Sequence, residues 1–288
     1  GGDGTKEYPL NSLAQAAIIA KPGDEVIVAP GVYREYVNPA FSGTPERRIT
    51  YRSAVKNGAV ITGAEEVKNW ERYKENVWMV RIPNGIFGEY NPYTVEIFGD
   101  WYDALKPMHT GEIYINNKAL YETDSLEEVL HPVIYKGSWD QKGSLYKWYT
   151  VQEQNETVIY ANFQELNPNE ENVEMNVRRN CFYPSEEGIG YITVSGFMIT
   201  KAATQWAPPT AYQEGMIGPH WSKGWIIEDC DISHSRCSGI SLGKYLQPDN
   251  DNKWAVKHTK TGTQTERDAI CQAQREGWTK ENIGSHII

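Results

Sequence analysis

Ile192-Thr-Val-Ser-Gly-Phe-Met-Ile-Thr-Lys-Ala202 and Trp225-Ile-Ile-Glu-Asp-Cys-Asp-Ile-Ser-His-Ser235 are two copies of one sequence pattern. Small or apolar residues recur in them at matching places 33 residues apart, as in the pair Val194 and Ile227. Short strand-like runs that repeat at intervals of about 20–50 residues indicate a solenoid, in which each unit needs a neighbour to bury its apolar face. The repeat therefore predicts an all-β solenoid in this part of the chain.

A third copy of the pattern begins at His286-Ile-Ile288, where His286 would match Trp225. A solenoid unit that stops after one strand leaves its apolar face and its strand edge uncovered. We therefore expect either a longer protein or a further chain at this end. A homo-oligomer and a second chain that completes the solenoid are both open as partners.

Residues 1–65 predict a cap followed by the first solenoid strands. The segment from Pro9 to Ala20 has the spacing of a short amphipathic helix, with one face formed by Leu10, Leu13, Ala14, Ala17 and Ile18. Turn residues separate the apolar runs 25–29, 49–52 and 59–63, which we assign as strands. A terminal helix suits this position because an open solenoid end exposes strand edges.

Residues 66–180 predict an inserted antiparallel β-sandwich. Apolar and polar residues alternate there in runs separated by polar turns, as an antiparallel sheet with one wet face requires. The predicted strands are 77–82, 112–115, 147–151, 157–160 and 173–177, with one helix over 125–130. Over residues 181–288 the solenoid resumes, with long loop insertions at 203–223 and 245–284 and a helical pattern over 265–276.

The net charge of −10, together with the ten Trp and the eighteen Tyr, limits the classes of function that this chain can have. An acidic balance argues against nucleic acid and anionic membranes, which bind clustered Lys and Arg. The chain also has no run of about 18 apolar residues, which a membrane-spanning helix requires. The aromatic residues have two interpretations. They either pack on pleated β-faces, or they form a sugar-binding surface, since a ring offers a flat apolar face with a polar edge.

The four cysteines predict neither a zinc site nor a disulfide framework. None of them belongs to a Cys-x-x-Cys pair, and no His stands at ligand spacing. Cys230 falls at an inward-looking strand position, so we predict a buried free thiol. No other group has the spacing of a metal site, and we predict no cofactor.

Three residues of the first loop insertion, Trp206, His220 and Trp221, are candidates for substrate binding. Long loops with distinctive side chains are where function tends to lie. The structural alternative is that both tryptophans pack the loop onto the solenoid. His220 would then satisfy a loop carbonyl rather than a sugar hydroxyl. Trp101, in Phe98-Gly-Asp-Trp101, is a further candidate, because Gly99 permits a close approach to a pocket.

The acidic residues of the second copy do not form a convincing catalytic pair. Glycoside hydrolysis needs two carboxyl groups, about 5–5.5 Å apart for retention or about 6.5–9.5 Å apart for inversion. Glu228, Asp229 and Asp231 lie close together in sequence. However, Asp229 is expected at a turn, and Asp231 alternates with the inward Ile232. We therefore expect these carboxylates to be solvated.

Six motifs spread over nearly the whole chain resemble the N-terminal portion of the β-xylosidases of glycoside hydrolase family 120. They are Gly31-Val-Tyr-Arg-Glu35, Phe98-Gly-Asp-Trp101, Thr157-Val-Ile-Tyr-Ala-Asn-Phe163, Asn176-Val-Arg-Arg179, Trp206-Ala-Pro-Pro209 and Trp221-Ser-Lys-Gly-Trp-Ile-Ile-Glu-Asp229. The resemblance implies a right-handed parallel β-helix interrupted by an inserted antiparallel β-sandwich, with a short N-terminal capping helix.

The resemblance also implies a retaining exo-acting β-1,4-xylosidase that releases xylose from xylo-oligosaccharides. In that family an Asp is the nucleophile and a Glu is the general acid/base. Both lie on later coils, so we expect them C-terminal to Ile288 and assign no catalytic residue here. Trp101 matches a tryptophan that lines the xylose subsite.

Two other functions remain open. One is a β-helix polysaccharide lyase, although basic residues are not clustered and an acidic surface disfavours a polyanionic substrate. The other is a non-catalytic carbohydrate-binding or structural module. A xylo-oligosaccharide or a related plant-cell-wall sugar is the expected ligand.

Overall fold

The computed structural model describes residues 2–97, 106–206, 214–243 and 270–288. Within these residues the chain divides into two compact units. Unit 1 contains residues 2–63 and the described part of 179–288, and unit 2 contains residues 64–97 and 106–178. Most of the regular structure is β-strand, which confirms the all-β class.

Two α-helices and seventeen strands have both ends within these residues. In chain order they are α1 (Leu13–Ile19), β1 (Glu25–Val28), β2 (Gly31–Tyr33), β3 (Ile49–Ser53), β4 (Ala59–Thr62), β5 (Ala64–Glu66), β6 (Glu71–Lys74), β7 (Val77–Pro83), β8 (Ile113–Ile115), β9 (Lys118–Ala119), β10 (Tyr121–Glu122), α2 (Leu126–Leu130), β11 (Lys147–Glu153), β12 (Glu156–Asn162), β13 (Val173–Asn176), β14 (Ile192–Ser195), β15 (Met198–Thr200), β16 (Ile226–Glu228) and β17 (Asp231–Ser233). Short 3₁₀ turns occur at Asn84–Phe87 and Gly143–Leu145. Residues 270–275 are also helical.

Unit 1 is built from two parallel four-stranded sheets between which the chain alternates. One sheet has the order β1-β3-β14-β16 and the other the order β2-β4-β15-β17. We call each passage through both sheets a coil, which gives four coils. Val194 pairs with Ile227 and Ile199 pairs with Ile232, so the 33-residue register read from the sequence is confirmed. Ile226 bridges Ile287, which confirms the alignment of the third copy.

Left-handed backbone corners recur in unit 1 with the same spacing. A residue with positive φ turns the chain between its two sheets and at the ends of its strands. These residues fall into pairs 33 apart: Gly188 and Trp221, Tyr191 and Gly224, Gly196 and Asp229, and Lys201 and His234. Gly196 occupies such a corner without strain, whereas Asp229 tolerates it through its short polar side chain. The turns therefore repeat every 33 residues, as the apolar positions do.

The core of unit 1 consists of apolar side chains that point inward from successive coils. Tyr51 packs edge-on against Phe182, with ring centroids 5.1 Å apart, and Phe182 packs edge-on against Trp225 at 6.0 Å. Trp225 is fully buried, and its indole Nε1–H donates to the Ile189 carbonyl at 2.7 Å. A buried indole with a satisfied donor contributes packing area without leaving a polar group unpaired.

Unit 2 contains a five-stranded sheet, β10-β11-β12-β7-β6, and a four-stranded sheet, β5-β13-β8-β9. Buried residues of both sheets form one hydrophobic core, including Trp148 and Ile159 from the first and Ile113 and Met175 from the second. The pairing is antiparallel except between β10 and β11, which run parallel. The predicted helix over 125–130 is confirmed as α2, with Ser125 as its N-cap.

Two sequence-based expectations for unit 1 need correction. The N-terminal helix begins at Leu13 rather than near Pro9, because the Ser12 side chain caps it by accepting from the Gln15 N–H. Its buried face contains Leu13, Ala16 and Ala17, whereas Ile18 is exposed. Cys230 is a free thiol but is half-buried rather than buried, and this burial raises its pKa.

Candidate substrate site

A row of single parallel bridges in unit 1 positions the polar side chains of the candidate site. Val37 bridges Phe182, Phe182 bridges Ile217, and Ile217 bridges Ile240. Each member of this row follows the second strand of one coil. Unit 2 interrupts the chain between β4 and Phe182, and the first long loop insertion lies between β15 and Ile217. Both insertions therefore lie at the same place in a coil, between its second strand and its member of the bridged row.

Arg179 and Glu214 each stand three residues before a row member and form an ion pair. The distance from Arg179 Nε to Glu214 Oε2 is 3.0 Å. Glu214 is buried, and the Arg179 side chain is 27% exposed. A buried carboxylate needs such a partner, because desolvation alone would favour its neutral form. The pair joins coil 2 to coil 3.

Tyr36 interacts both with the Arg179–Glu214 ion pair and with Tyr183. Its hydroxyl donates to the Tyr183 carbonyl at 2.7 Å. Burial and the Glu214 carboxylate raise the pKa of Tyr36 to about 12, with an opposing contribution from Arg179. The phenol therefore stays protonated and keeps its donor at neutral pH.

His220 is buried at the end of the first loop insertion and satisfies a loop carbonyl. Its Nδ1 lies 2.8 Å from the Pro184 carbonyl oxygen. Because that oxygen can only accept, Nδ1 carries the proton in the assigned tautomer. The imidazole also stacks on the Tyr183 ring, with centroids 5.1 Å apart and planes at 27°. Of the two roles weighed for His220, the structure shows the carbonyl contact.

Trp221 adopts a left-handed backbone, with φ of 50°, and packs with Ala273 and Trp278. It lines a cavity of about 500 Å³ whose walls also include Ile240, Leu242, Ile283 and His286. A left-handed conformation is strained for a bulky residue and persists where its surroundings determine it. Trp221 therefore combines the packing role considered for it with a place in a cavity wall.

The structure says less about the other two predicted binding residues, Trp206 and Trp101. Trp206 is half-buried, and its backbone N–H donates to the Gln205 side-chain oxygen at 2.8 Å. Trp101 lies outside the described residues. The structure therefore brings His220 and Trp221 together as chain neighbours, but their rings contact different partners, Tyr183 and the 273–278 segment.

The carboxylates of β16 and β17 are solvated, as expected. Asp229 stands at the corner between these strands and pairs with Lys56 at 2.7 Å, and both side chains are more than half exposed. Glu228 and Asp231 are also exposed. Glu35 accepts from Ser12 and from the Ala14 N–H, which anchors the N-terminal helix. Glu214 is the buried carboxylate in the described residues of unit 1.

The described residues contain no group of three or more His, Cys, Asp or Glu side chains that could hold a metal ion. In the same parts of the chain, no helix has both the length and the apolar character needed to cross a membrane.

Sequence reasoning missed Tyr36, Tyr183 and Glu214 as site residues. In the sequence, Arg179 stands out only as part of the motif Asn176-Val-Arg-Arg179. All of these residues lie within three positions of a member of the bridged row. Because each row member is a single residue, the row leaves no strand-like pattern in the sequence. Guanidinium, carboxylate, phenol and imidazole groups at one edge can together donate to and accept from neutral hydroxyl groups.

Comparison with known proteins finds similarity to glycoside hydrolases. Residues 67–175 match the family model described as "Glycoside hydrolase 120, insertion domain". The structure superimposes on that of XylC, solved in complex with xylose, with a TM-score of 0.92 and 45% sequence identity. This superposition covers 99% of the chain and 47% of XylC, so the chain spans about half the length of that protein. The resemblance to family 120 is therefore confirmed: residues 67–175 match its insertion domain, and the chain is similar to the matching part of XylC.

Two further matches carry less information. A structure described as a glycoside hydrolase matches with a TM-score of 0.50 and 10% identity, covering 83% of this chain and 61% of the other, which shows a shared fold alone. The uncharacterized protein YwoF of Bacillus subtilis (strain 168) is 39% identical over 69 residues, which are 24% of this chain and 14% of YwoF.

Proposed function

We propose that this chain is part of a retaining exo-β-1,4-xylosidase that releases xylose from xylo-oligosaccharides. The observation that carries the proposal is the likeness to XylC, which was solved with xylose and which this chain matches over 99% of its own length. The match of residues 67–175 to the family 120 insertion domain supports the same assignment.

The proposal includes the finer architecture. The alternation of the chain between two parallel sheets supports a right-handed parallel β-helix, with domains at 1–65 and 181–288. The two sheets of unit 2 and their common core support an inserted β-sandwich over 66–180. A xylo-oligosaccharide is the partner in this proposal.

The chemistry is a double displacement at the anomeric carbon. A carboxylate attacks that carbon and forms a glycosyl-enzyme bond, while a carboxylic acid protonates the departing glycosidic oxygen. The resulting carboxylate then removes a proton from water, which displaces the nucleophile and releases xylose with its configuration retained. The resemblance assigns the two catalytic carboxyl groups to coils that follow residue 288.

The residues of this chain would form part of the wall of the xylose pocket. Trp101, Trp206, His220 and Trp221 are the proposed contacts. The aromatic rings offer apolar faces to a pyranose, and the neutral imidazole of His220 accepts at Nε2 when Nδ1 is protonated. Because Glu214 is paired with Arg179, we assign it to positioning or binding rather than to nucleophilic attack.

The test uses the full translation product of the gene that encodes this chain. We expect it to hydrolyse p-nitrophenyl β-D-xyloside and to release xylose from xylobiose, with the β-anomer appearing first by proton NMR. The corresponding β-D-glucoside is the matched control substrate. An unsaturated product that absorbs in the ultraviolet would instead identify a lyase. Sugar binding without turnover would identify a non-catalytic module.

A further inference from the structure

A second contact joins coils 2 and 3 directly beside the Arg179–Glu214 ion pair. Asn180 is 6% exposed, and its side-chain amide donates to the Gly215 carbonyl at 2.8 Å. Asn180 follows Arg179 in the chain, and Gly215 follows Glu214. The two contacts therefore occupy consecutive positions, and the amide hydrogen bond fixes the backbone next to the buried carboxylate.

The Gly215 backbone is also in close contact with coil 4. A Cβ atom at this position would lie 2.5 Å from the Ser241 nitrogen, which is closer than two such atoms can approach. Glycine permits this approach because it has no side chain. Gly215 is thus in contact with Asn180 of coil 2 and with Ser241 of coil 4. The chain directly after Glu214 consequently has little freedom to shift.

The environment of Tyr36 depends on where the Glu214 carboxylate lies. Burial and then this carboxylate raise the pKa of Tyr36 to about 12, and Arg179 opposes the effect. The attraction or repulsion between two such groups weakens as the distance between them grows. The phenol therefore reports any movement of the carboxylate.

A buried carboxylate that is held in place is suited to the recognition of a neutral sugar. An ionised carboxylate offers about four acceptor positions, so it can bind a sugar hydroxyl as well as Arg179 and other donors. A hydrogen bond to an ionised group is stronger than one between neutral groups, but it weakens as its distance and angle depart from the optimum. We propose that Asn180 is a positioning residue, which holds Glu214 where its carboxylate accepts a hydrogen bond from a hydroxyl group of xylose. The identity of the sugar rests on the proposed function.

Asn180→Leu in the full translation product is the first test. Leucine has nearly the same shape as asparagine, but it cannot donate to the Gly215 carbonyl. We expect the dissociation constant of xylose, measured by calorimetry, to rise about tenfold. The KM for p-nitrophenyl β-D-xyloside should rise by a similar factor with little change in kcat, as for the loss of a contact made equally in the ground and transition states. Asn180→Gln keeps an amide donor and should lose less affinity.

Ser53→Ala is the control, because Ser53 makes comparable buried contacts in coil 2 but at the start of β4, whereas the bridged row follows the second strands. Ser53 is 4% exposed, and its hydroxyl donates to the Val55 carbonyl at 2.6 Å and accepts from the Ala59 N–H at 3.1 Å. Both variants lose buried hydrogen bonds, so both should lower the melting temperature. Only Asn180→Leu should weaken xylose binding. An equal loss of xylose affinity in both variants would reveal a general effect of stability and would overturn the proposal.

Titration of Tyr36 provides a readout that needs no sugar. Because Asn180 holds Glu214 in place, Asn180→Leu should let the carboxylate move away and should lower the pKa of Tyr36. An ultraviolet difference titration against Tyr36→Phe measures this pKa, which Ser53→Ala should leave unchanged. Asn180→Ser, whose hydroxyl is too short to reach the Gly215 carbonyl, gives the same comparison if the leucine variant does not fold.

Unchanged xylose affinity in a folded Asn180→Leu variant would overturn the proposal. The positioning role and the xylosidase assignment can also fail separately. If the full product neither hydrolyses the xyloside nor binds xylose, but Asn180→Leu lowers the pKa of Tyr36, the xylosidase assignment fails and Asn180 remains a positioning residue for Glu214. If turnover is present and Asn180→Leu changes neither xylose affinity nor the pKa of Tyr36, the positioning role fails and the xylosidase assignment stands.

Discussion

His220→Phe tests whether this histidine is a structural residue or a ligand contact. The phenyl ring retains the stacking on Tyr183 but cannot donate from the position of Nδ1. The Pro184 carbonyl then loses the donor that lies 2.8 Å away. An acceptor left unsatisfied in a buried position costs about 1–3 kcal/mol, so we expect the free energy of unfolding to fall by that amount.

His220→Ala extends the comparison because it removes the stacking as well. A stacked aromatic pair contributes about 0.5–1.5 kcal/mol beyond burial. We therefore expect His220→Ala to lose about 2–4 kcal/mol, more than His220→Phe. Urea unfolding of each variant provides the measurement. His131→Phe is the control, since the His131 side chain is 59% exposed, and its stability should stay within about 0.5 kcal/mol of the parent.

Binding of xylose, followed by calorimetry, completes the test. If His220 acts through the Pro184 carbonyl, stability falls in His220→Phe whether or not xylose binding changes. Unaltered stability of His220→Phe would refute the structural role of the Pro184 contact, and weakened xylose binding at unaltered stability would leave the sugar contact as the role of His220.

Three further predictions concern a corner, a pH response and an ion pair. Asp229→Val should destabilise the chain by about 1–2 kcal/mol, because a β-branched residue is strained at the φ of 53° found at position 229. Asp229→Gly should stay within about 0.5 kcal/mol of the parent, since the exposed ion pair of Asp229 contributes little. Thermal unfolding measures both. Burial and then Lys223 lower the pKa of His286, whose Nδ1 accepts from a main-chain N–H at 3.1 Å. The contribution of neutral His286 to stability is therefore complete above about pH 6.5, and it is lost as the pH falls through the lowered pKa of the folded state. Protection of the Ile287 amide from hydrogen exchange should fall over the same pH range. Glu214→Gln should lower the pKa of Tyr36 in an ultraviolet titration. It should also destabilise unit 1 by about 1–3 kcal/mol, because it removes the charge that pairs with the half-buried Arg179.

The repeat and the strands of unit 1 could be predicted because they follow from local patterns. The pair Val194 and Ile227 reflects an alternation of inward and outward side chains that is visible along each strand. The helix at residues 13–19 was placed less well, because Leu10 continues the apolar pattern whereas the cap at Ser12 sets the start. Propensity and spacing identify such an element but leave its ends uncertain.

The candidate site was predicted in part. Loop composition identified His220 and Trp221, and the structure shows that one stacks on Tyr183 and the other packs with Trp278. Glu214 was not recognised because no local pattern distinguishes it from the exposed acidic residues. Its partner Arg179 stands at the equivalent position of the neighbouring coil, so the stacking of the coils brings the two side chains together.

The sequence by itself determined the 33-residue spacing, the all-β class and the resemblance to family 120, because these depend on side chains that repeat at fixed intervals or form extended motifs. Tertiary structure alone decided which polar groups meet. Tyr36 and Tyr183 are 147 residues apart along the chain, yet they are joined by a hydrogen bond of 2.7 Å. Parallel sheets place distant segments side by side in register, so the polar contacts depend on how the coils are superimposed rather than on neighbouring residues.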